Sequence, residues 1–543
     1  MILAHAVAAL LLFAPARDSL AFATEARRLL AAARHPEMRW PAFPDVRARA
    51  ESLYVANDWR PLWLADGAPS LPARRLAGVL RHAELRGLPP DDFDGPQLAV
   101  RAEAGPPADP VTAARFDLML TLDALRLVEA LDRGRIAPRA AEVDLQLPRE
   151  HADVMAVVQA LRTAVATDSV LASVEPRSAQ YQLLKRSLVH YRALGSDSGL
   201  VPLPALPRRL RPGMTYPGAA ALRRLLRATG DLPDTLPSPP AEADTLYDDG
   251  LVAGVRTFQR RSGFGADGVI GDSTAARLNR PFADRLRQIE LTLERWRWLP
   301  RTFESPPIIV NIPAYRLVAF TGASEREDSL LRMNVVVGRA FKSATPVFTS
   351  WMTYVAFSPY WEVPKSIERQ EIRPAAQRHP GYLARHRMEL LRGGAVVPAT
   401  AANIAAIGGA VHVRQKPGDG NSLGRVKFML PNNYAVYLHD TPAKNLFEQP
   451  RRDYSHGCIR LADPVALARF VLRDQPDWTP ERIAEAMQRE KPLNVTLARR
   501  IPVLVLYGTA VARESGATYF YGDVYGHDRT LDRLLRRGFP YAR

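Results

Sequence analysis

The sequence predicts a multidomain α+β protein with a helical N-terminal scaffold, a small three-helix domain and a β-rich C-terminal domain that carries an insertion. Its 543 residues, 47% of them hydrophobic, correspond to about three to four domains. Apolar residues recur at helical spacing in 112–133 and 247–258, whereas short β-type runs begin at about 306. A mainly disordered chain is excluded, because the apolar fraction is too high.

The N-terminus carries an apolar run, 2–14, which is too short to span a bilayer and has the length of a signal-peptide core. Ala21-Phe22-Ala23 offers a cleavage pattern, and no Lys or Arg precedes the run. We therefore expect a signal peptide at 1–23 and export of the protein. The alternative is a buried N-terminal helix.

Composition and periodicity divide the rest of the chain. A helical scaffold is expected at 24–205, where Gly134 ends a long helix with an apolar face. The other expected parts are the three-helix domain at 210–280, a linker helix at 281–300, the β-rich domain at 301–510 with an insertion at about 365–425, and a segment at 511–543 that packs on the scaffold. The strands expected in the β-rich domain are 308–312, 317–320, 334–337, 434–438 and 503–507.

The three-helix domain is expected from one apolar helical face. Tyr247, Leu251 and Phe258 belong to that face, and Gly263 is expected to end the helix. Asp272 is expected to cap the last helix, which runs to about 278.

The chain is basic, with a formal net charge of +16. Only seven of its 73 basic residues are Lys, and its arginines alternate with acidic residues. No motif combines basic and aromatic residues as nucleic-acid readers do, so we interpret the charge as a surface suited to anionic polymers and expect no nucleic-acid partner.

Cys458 is the single cysteine of the chain. An intramolecular disulfide, a multi-cysteine zinc site and an iron–sulfur cluster are therefore excluded. An N-terminal lipidated cysteine is excluded as well, because no cysteine lies near the start.

The residues around Cys458 form the most informative pattern of the sequence. A cysteine attacks a carbonyl only as the thiolate, and a neighbouring imidazole can take its proton. His456 lies two residues before Cys458, and His439 lies 19 residues before it at the end of a predicted strand. Asp440, or its carbonyl, is placed to orient the His439 imidazole.

Two further features of this stretch suit acyl transfer. Gly457 favours a tight turn, in which the backbone N–H groups of Gly457 and Cys458 converge on an oxyanion. Arg460 is a candidate for binding a substrate carboxylate, because a guanidinium can form two parallel hydrogen bonds with a carboxylate. The alternatives are a structural cysteine and a metal site made from His439, Asp440, His456 and Cys458, although one thiolate at this spacing matches no common zinc pattern.

The stretch from Tyr437 to Leu461 resembles the catalytic signature of the L,D-transpeptidases. The matching residues are His439-Asp440-Thr441 and Ser455-His456-Gly457-Cys458 with Arg460. Residues 247–279 resemble a three-helix peptidoglycan-binding domain. Landmarks such as Trp361, Thr345-Pro346 and 523–528 extend the resemblance to the large multidomain, YcbB-like branch of the family, in which 365–425 corresponds to a capping subdomain.

This resemblance implies the activity and the roles of the residues. Cys458 would attack a donor tetrapeptide stem, release D-alanine and pass the acyl group to the amine of an acceptor stem, giving a 3→3 cross-link. His439 matches the general base, Asp440 the group that orients it, and His456 with Gly457 the oxyanion region. Arg460, Ser455, Tyr437 and Trp361 match substrate-binding positions.

The resemblance also implies a setting for this activity. It implies action in the periplasm, no cofactor, no metal, no stable membrane anchor beyond an uncleaved signal, and acylation of Cys458 by carbapenems. Three alternatives stay open: L,D-carboxypeptidase activity, attachment of a lipoprotein, and a peptidoglycan-binding scaffold without catalysis.

Overall fold

The computed structural model describes residues 3–236, 239–240, 244–303, 305–320, 330–340 and 342–542. It has the expected multidomain α+β architecture, and the N-terminal part is mainly helical. The elements of this part are α1 (Leu3–Ala32), α2 (Arg47–Ala56), β1 (Leu64–Ala65), β2 (Ala68–Pro69), α3 (Leu71–Arg81), α4 (Gly95–Glu103), α5 (Pro110–Arg133), β3 (Val143–Asp144), α6 (Val154–Thr163), α7 (Thr167–Ala172) and α8 (Ala179–Ser196).

α5 is the central helix of this scaffold. Asp109 caps its N-terminus by accepting hydrogen bonds from two backbone N–H groups, and Gly134 follows its last turn in a positive-φ conformation. Inside the core, the Asp117 carboxylate accepts hydrogen bonds from the Tyr54 hydroxyl and the Trp63 backbone N–H, each at 2.7 Å. The buried aromatic corner around Trp63 is thereby fixed to α5.

The expected cleavage pattern at 21–23 lies within α1. Phe22 and Ala23 are buried, and Phe22 joins Leu29 and Leu30 in the scaffold core. This part of α1 is therefore built into the scaffold. Among the residues that the structure describes, no helix is long and apolar enough to cross a membrane.

A small helical unit and a linker helix follow. They consist of α9 (Ala219–Ala228), α10 (Asp249–Arg261), α11 (Asp272–Leu278) and α12 (Phe282–Trp296). Gly263 follows α10 with a φ of 77°, as expected, whereas Gly271 and not Asp272 occupies the N-cap of α11. α12 packs against α8, and Trp298 just beyond it enters the core of the C-terminal domain.

The main sheet of the C-terminal domain closes on itself. Its strand order is β12-β13-β15-β6-β5-β4-β16-β7, and β12 also pairs with β7. The strands are β4 (Ile308–Asn311), β5 (Arg316–Phe320), β6 (Leu330–Gly338), β7 (Val347–Phe357), β12 (Val426–Met429), β13 (Leu438–His439), β14 (Asp453–Ser455), β15 (Ile459–Leu461) and β16 (Leu493–Leu506). Its inward side chains form the largest apolar core, which is covered by α17 (Pro464–Leu472) and α18 (Pro480–Met487).

The insertion is an α+β unit with a sheet of its own. Its elements are β8 (Trp361–Glu362), α13 (Lys365–Ile367), a π-helical turn (Glu368–Ile372), α14 (Arg373–Arg378), α15 (Tyr382–Arg385), β9 (Met388–Arg392), β10 (Ala395–Val397), α16 (Ala401–Ala405) and β11 (His412–Gln415). Four strands pair in the order β10-β9-β11-β8 over a separate apolar core. We call this unit, 361–415, the cap.

The C-terminal segment comprises β17 (Ala510–Ala512), β18 (Thr518–Phe520) and α19 (His527–Arg536). The β17–β18 hairpin packs against α8 and α12. Near the end of the chain, the Ala542 carbonyl accepts a hydrogen bond from the Ala137 N–H, and the Tyr541 hydroxyl donates to Asp92. The segment therefore contacts the scaffold directly.

One expected strand is wrong. The alternation at 434–438 predicts a strand, but only Leu438 and His439 pair in the sheet. The Asn432 side chain accepts hydrogen bonds from the Tyr434 and Val436 N–H groups, and Ala435 has a φ of 54°. A side-chain-stabilised turn thus replaces most of the strand and brings the chain back over the edge of β13.

Candidate active site

Cys458 lies in a short loop, 455–458, that joins β14 to β15. Gly457 has a φ of 115°, a conformation that L side chains rarely adopt, although space around it is open. The Ser455 hydroxyl donates to the Cys458 carbonyl at 2.5 Å and accepts the Gly457 N–H at 3.2 Å. Ser455 therefore holds the loop from within, and the Gly457 N–H, which was expected to face an oxyanion, is engaged there.

Neighbouring segments clamp this loop from outside. The Thr345 hydroxyl donates to the Gly457 carbonyl at 2.7 Å and accepts the Gly338 N–H at 2.8 Å. The Tyr525 hydroxyl donates to the Gly338 carbonyl at 2.5 Å. Thr345 thus holds the loop directly, and Tyr525 holds Gly338 and Thr345 beside it. Sequence reasoning assigned no role to either residue, because these contacts join segments that are distant in the chain.

Strand pairing brings His439 beside the same loop. β13 runs parallel to β15, with Leu438 opposite Ile459 and His439 opposite Arg460. His439 is buried, and its Nδ1 lies 2.5 Å from the Asp440 carbonyl oxygen. Since a carbonyl only accepts, Nδ1 carries the hydrogen and Nε2 is left as the basic nitrogen.

The electrostatic environment keeps this imidazole neutral. Burial, with a contribution from the Arg460 charge, lowers the pKa of His439 to about 3. His439 is therefore a neutral hydrogen-bond acceptor at the pH values at which proteins normally work, which is the state that a general base requires.

Asp440 hydrogen-bonds with His439 through its backbone carbonyl, while its carboxylate acts on the imidazole only through its charge. Its carboxylate accepts the Arg425 N–H at 2.9 Å and the Lys444 ammonium at 2.7 Å. A Cβ at Gly424 would lie 2.3 Å from the same carboxylate. The side chain of Asp440 thus anchors the start of β12, while its carbonyl sets the tautomer of His439.

The Cys458 thiol is partly exposed and points toward Ala435, whose carbonyl lies 3.7 Å from Sγ. Burial raises the pKa of Cys458. Hydrogen bonds from the Tyr437 backbone and hydroxyl, and the charges of Lys427 and Arg460, act in the opposite direction. These groups offset the effect of burial only in part, since the pKa of Cys458 stays above its ordinary value.

Tyr437 and Trp361 form the apolar wall beside the sulfur. The Tyr437 ring centroid lies 5.7 Å from that of His439, and its hydroxyl also hydrogen-bonds with Trp361. Trp361 belongs to β8 and packs against the core of the cap. Both aromatic residues that the sequence suggested as groove walls thus lie at the site, one on the main sheet and one on the cap.

Arg460 is a half-buried cation of the site. Burial lowers the pKa of its guanidinium, and the charge of Cys458 opposes this effect. Its Nε is buried without a hydrogen-bond partner among the described residues. A buried donor without an acceptor is costly, so an anionic ligand would complete this site.

The structure separates His456 from this group. Its Nε2 lies 2.7 Å from a Glu371 carboxylate oxygen in the π-helical turn of the cap, and the two side chains are 43% and 51% exposed. In this structure His456 therefore makes a contact between the Cys458 loop and the cap, and its catalytic role stays a prediction. With Asp440 and His456 both engaged elsewhere, the four-residue metal site has no support, and the described residues include no cluster of three or more such side chains that could hold a metal.

Lys427 is the charged residue of the site that sequence reasoning missed. It lies on β12 directly opposite His439, and its Nζ is 3.9 Å from the Tyr437 ring centroid. The only feature of the sequence that could have drawn attention to Lys427 is the rarity of Lys in this chain. Its position depends on the pairing of β12 with β13, which no local pattern reveals.

Comparisons with known proteins match this architecture. Residues 306–503 match the L,D-transpeptidase catalytic domain family YkuD, 48–188 match a family described as "Scaffold domain", and 215–278 match a "Putative peptidoglycan binding domain". A relative named "Putative L,D-transpeptidase" from Haemophilus influenzae Rd is 30% identical over 249 residues, which cover 45% of this chain and 49% of that protein. The chain thus spans about half the length of this curated relative. Residues 306–503 are therefore similar to the L,D-transpeptidase catalytic domains of the YkuD family, and the same chain carries segments similar to a scaffold domain and to a peptidoglycan-binding domain.

Proposed function

We propose that this protein is a periplasmic L,D-transpeptidase that forms 3→3 peptidoglycan cross-links through a thioester on Cys458. The sulfur attacks the carbonyl at the L-centre of the diamino acid in a donor tetrapeptide stem, and D-alanine leaves. The side-chain amine of an acceptor stem then attacks the thioester. No cofactor takes part, because both steps exchange one acyl bond for another.

His439 accepts the proton of the thiol and returns it to the leaving amine. The lowered pKa keeps the imidazole neutral before the reaction, as a proton acceptor must be, and the imidazole becomes charged only during it. The Cys458 N–H and the Tyr437 hydroxyl are the donors available to the oxyanion. Arg460, with its unpaired Nε, binds a carboxylate of the stem.

The observation that carries the proposal is the pairing of β13 with β15. It sets a neutral, buried imidazole beside the loop of the only thiol in the chain, next to an unsatisfied guanidinium. The peptidoglycan-binding domain supports the choice of substrate, since a tethered binding domain raises the local concentration of the polymer. The net charge of +16 suits a polymer that bears carboxylates.

Incubation of the full chain with purified disaccharide-tetrapeptide, followed by mass spectrometry of the products, tests the proposal. We expect a dimer lighter than two monomers by one alanine residue and one water, and none with Cys458→Ala. A carbapenem should form a covalent adduct with the wild type and not with this variant.

Other products would identify the alternatives. Tripeptide alone, dependent on Cys458, would indicate an L,D-carboxypeptidase. Transfer to the lysine of a supplied lipoprotein peptide, with no dimer, would indicate attachment of proteins to the wall. Binding of peptidoglycan without any product and without a carbapenem adduct would contradict the enzymatic proposal and favour a scaffold.

A further inference from the structure

Lys427 is a cation of the candidate site that the proposed mechanism leaves unused. Its ammonium lies over the face of the Tyr437 ring, 3.9 Å from the centroid. Burial lowers the pKa of Lys427, whereas the charges of Cys458 and Glu362 raise it, and no salt bridge to it is found among the described residues. An aromatic face holds a cation without neutralising it, so the charge of Lys427 remains available to the neighbouring sulfur.

The thiolate of Cys458 has few sources of stabilisation. Burial disfavours it, and His439 cannot serve as a cationic partner in the resting enzyme, because its imidazole stays neutral. The groups that act on the sulfur are Tyr437 beside β13, Lys427 on β12 and Arg460 on β15. His439 and Trp361 contact Tyr437, and Glu362 of the cap acts on Lys427. Glu371 of the cap is engaged by His456.

Two cations, Arg460 and Lys427, therefore remain to stabilise the thiolate, and they differ in their other interactions. Arg460 has an unpaired Nε and is assigned above to a substrate carboxylate. Once a substrate is bound, its charge is shared with that carboxylate. Lys427 is held by the ring and by its place opposite His439, so its charge does not depend on substrate.

We propose that Lys427 is a positioning residue for the ionisation of Cys458: its ammonium, held over the Tyr437 ring, stabilises the thiolate from which the thioester forms. The S–H bond breaks, its proton goes to Nε2 of His439, and the electron pair stays on sulfur. That pair then forms the C–S bond while the bond to D-alanine breaks and the imidazolium protonates the leaving amine. The inference rests on the proposed function, which makes Cys458 the nucleophile.

The pH dependence of Cys458 alkylation by iodoacetamide tests the role of Lys427. The reagent is neutral, so the loss of a positive charge does not alter its attraction to the site, and the single thiol makes the product unambiguous. We expect Lys427→Met to shift the inflection upward by roughly one pH unit and to slow alkylation near neutral pH roughly tenfold. Lys427→Arg should retain most of the wild-type profile.

Lys491→Met is the matched control, because Lys491 is an exposed residue of the same domain and its loss removes the same charge. Its profile should equal that of the wild type. If Lys427→Met does not fold, as judged by thermal melting, Lys427→Gln replaces it with a polar side chain of similar length, and the same upward shift is expected.

An unchanged inflection in a folded Lys427→Met or Lys427→Gln variant would overturn the inference. An unchanged inflection together with a raised KM for the donor stem would also overturn it and would make Lys427 a substrate contact. Failure of the proposed function is distinguishable: the wild type would then form no cross-link, whereas the shift in alkylation would still be measurable.

Discussion

The two walls of the candidate site are built differently. The sheet wall consists of Lys427, Tyr437, His439, Cys458 and Arg460, which the pairing of β12, β13 and β15 sets in register. The cap wall consists of Trp361 and Glu371, which belong to a unit with its own sheet and its own core. The groups suited to bond making thus lie on the main sheet, and the groups suited to covering a substrate lie on the cap.

The junction between these bodies is narrow. The Asn421 amide donates to the carbonyls of Pro359 and Lys416, at 3.1 and 3.0 Å, and so ties the two ends of the cap together. Across the site, the exposed pair between Glu371 and His456 joins the cap to the Cys458 loop. This surface pair contributes little to the free energy that holds the cap on the sheet, and the contact between Tyr437 and Trp361 adds to it.

The largest effect should distinguish the two histidines. His439→Gln should lower transpeptidation by roughly 10²–10⁴-fold, because it removes the base, whereas His456→Gln should lower it only a few-fold. Steady-state rates with disaccharide-tetrapeptide provide the measurement. A larger loss in the His456 variant would mean that the catalytic proton transfer belongs to the cap side of the site.

A second effect concerns the backbone of the Cys458 loop. Gly457→Ala should cost on the order of 1–3 kcal/mol of strain, because alanine disfavours a φ of 115°. The loop should relax, and alkylation of Cys458 should fall at least several-fold. Gly516→Ala is the control, since Gly516 also has a positive φ and open space but lies in the β17–β18 turn. Equal loss of alkylation in both variants would contradict the local explanation.

The third effect is a dependence of stability on pH. The pKa of His439 is lowered from its ordinary value of 6.5 to about 3 on folding, so the unfolded chain binds more protons between these values. This residue therefore makes the free energy of unfolding fall as the pH drops from about 6.5 toward 3. In His439→Gln the fall over this window should be shallower, as measured by denaturant unfolding at several pH values, and an equal slope would show that His439 is not buried as a neutral group.

The smallest effect concerns the contact between the cap and the sheet wall. Glu371→Gln should change stability by about 0–1 kcal/mol, because the pair is exposed, and should alter KM more than kcat. A double-mutant cycle with His456→Gln measures the coupling directly. A coupling well above this range, or a large loss of kcat, would mean that the cap is fixed to the sheet and that the two walls act as one body.

Parts of this site could be predicted because their signals are local. The spacing of Cys458, Gly457 and Arg460, and the single thiol itself, are properties of a short stretch of chain. The same holds for the helical face of α10, which the spacing of Tyr247, Leu251 and Phe258 predicts. The strand expected at 434–438 failed because Asn432 closes a turn whose hydrogen bonds compete with the alternating pattern.

By itself, the sequence determined the multidomain α+β class, the location of the β-rich domain and the likeness to L,D-transpeptidases, since composition, periodicity and motif spacing are read along the chain. Only the tertiary structure decided that His439 faces the Cys458 loop while His456 meets the cap, and that Lys427 lies over Tyr437. It also decided that Thr345 holds that loop while Tyr525 holds Gly338 beside it. The physical reason is strand register: cross-strand neighbours are set by pairing between segments far apart in sequence, and a shift of one residue would have placed different side chains at the sulfur.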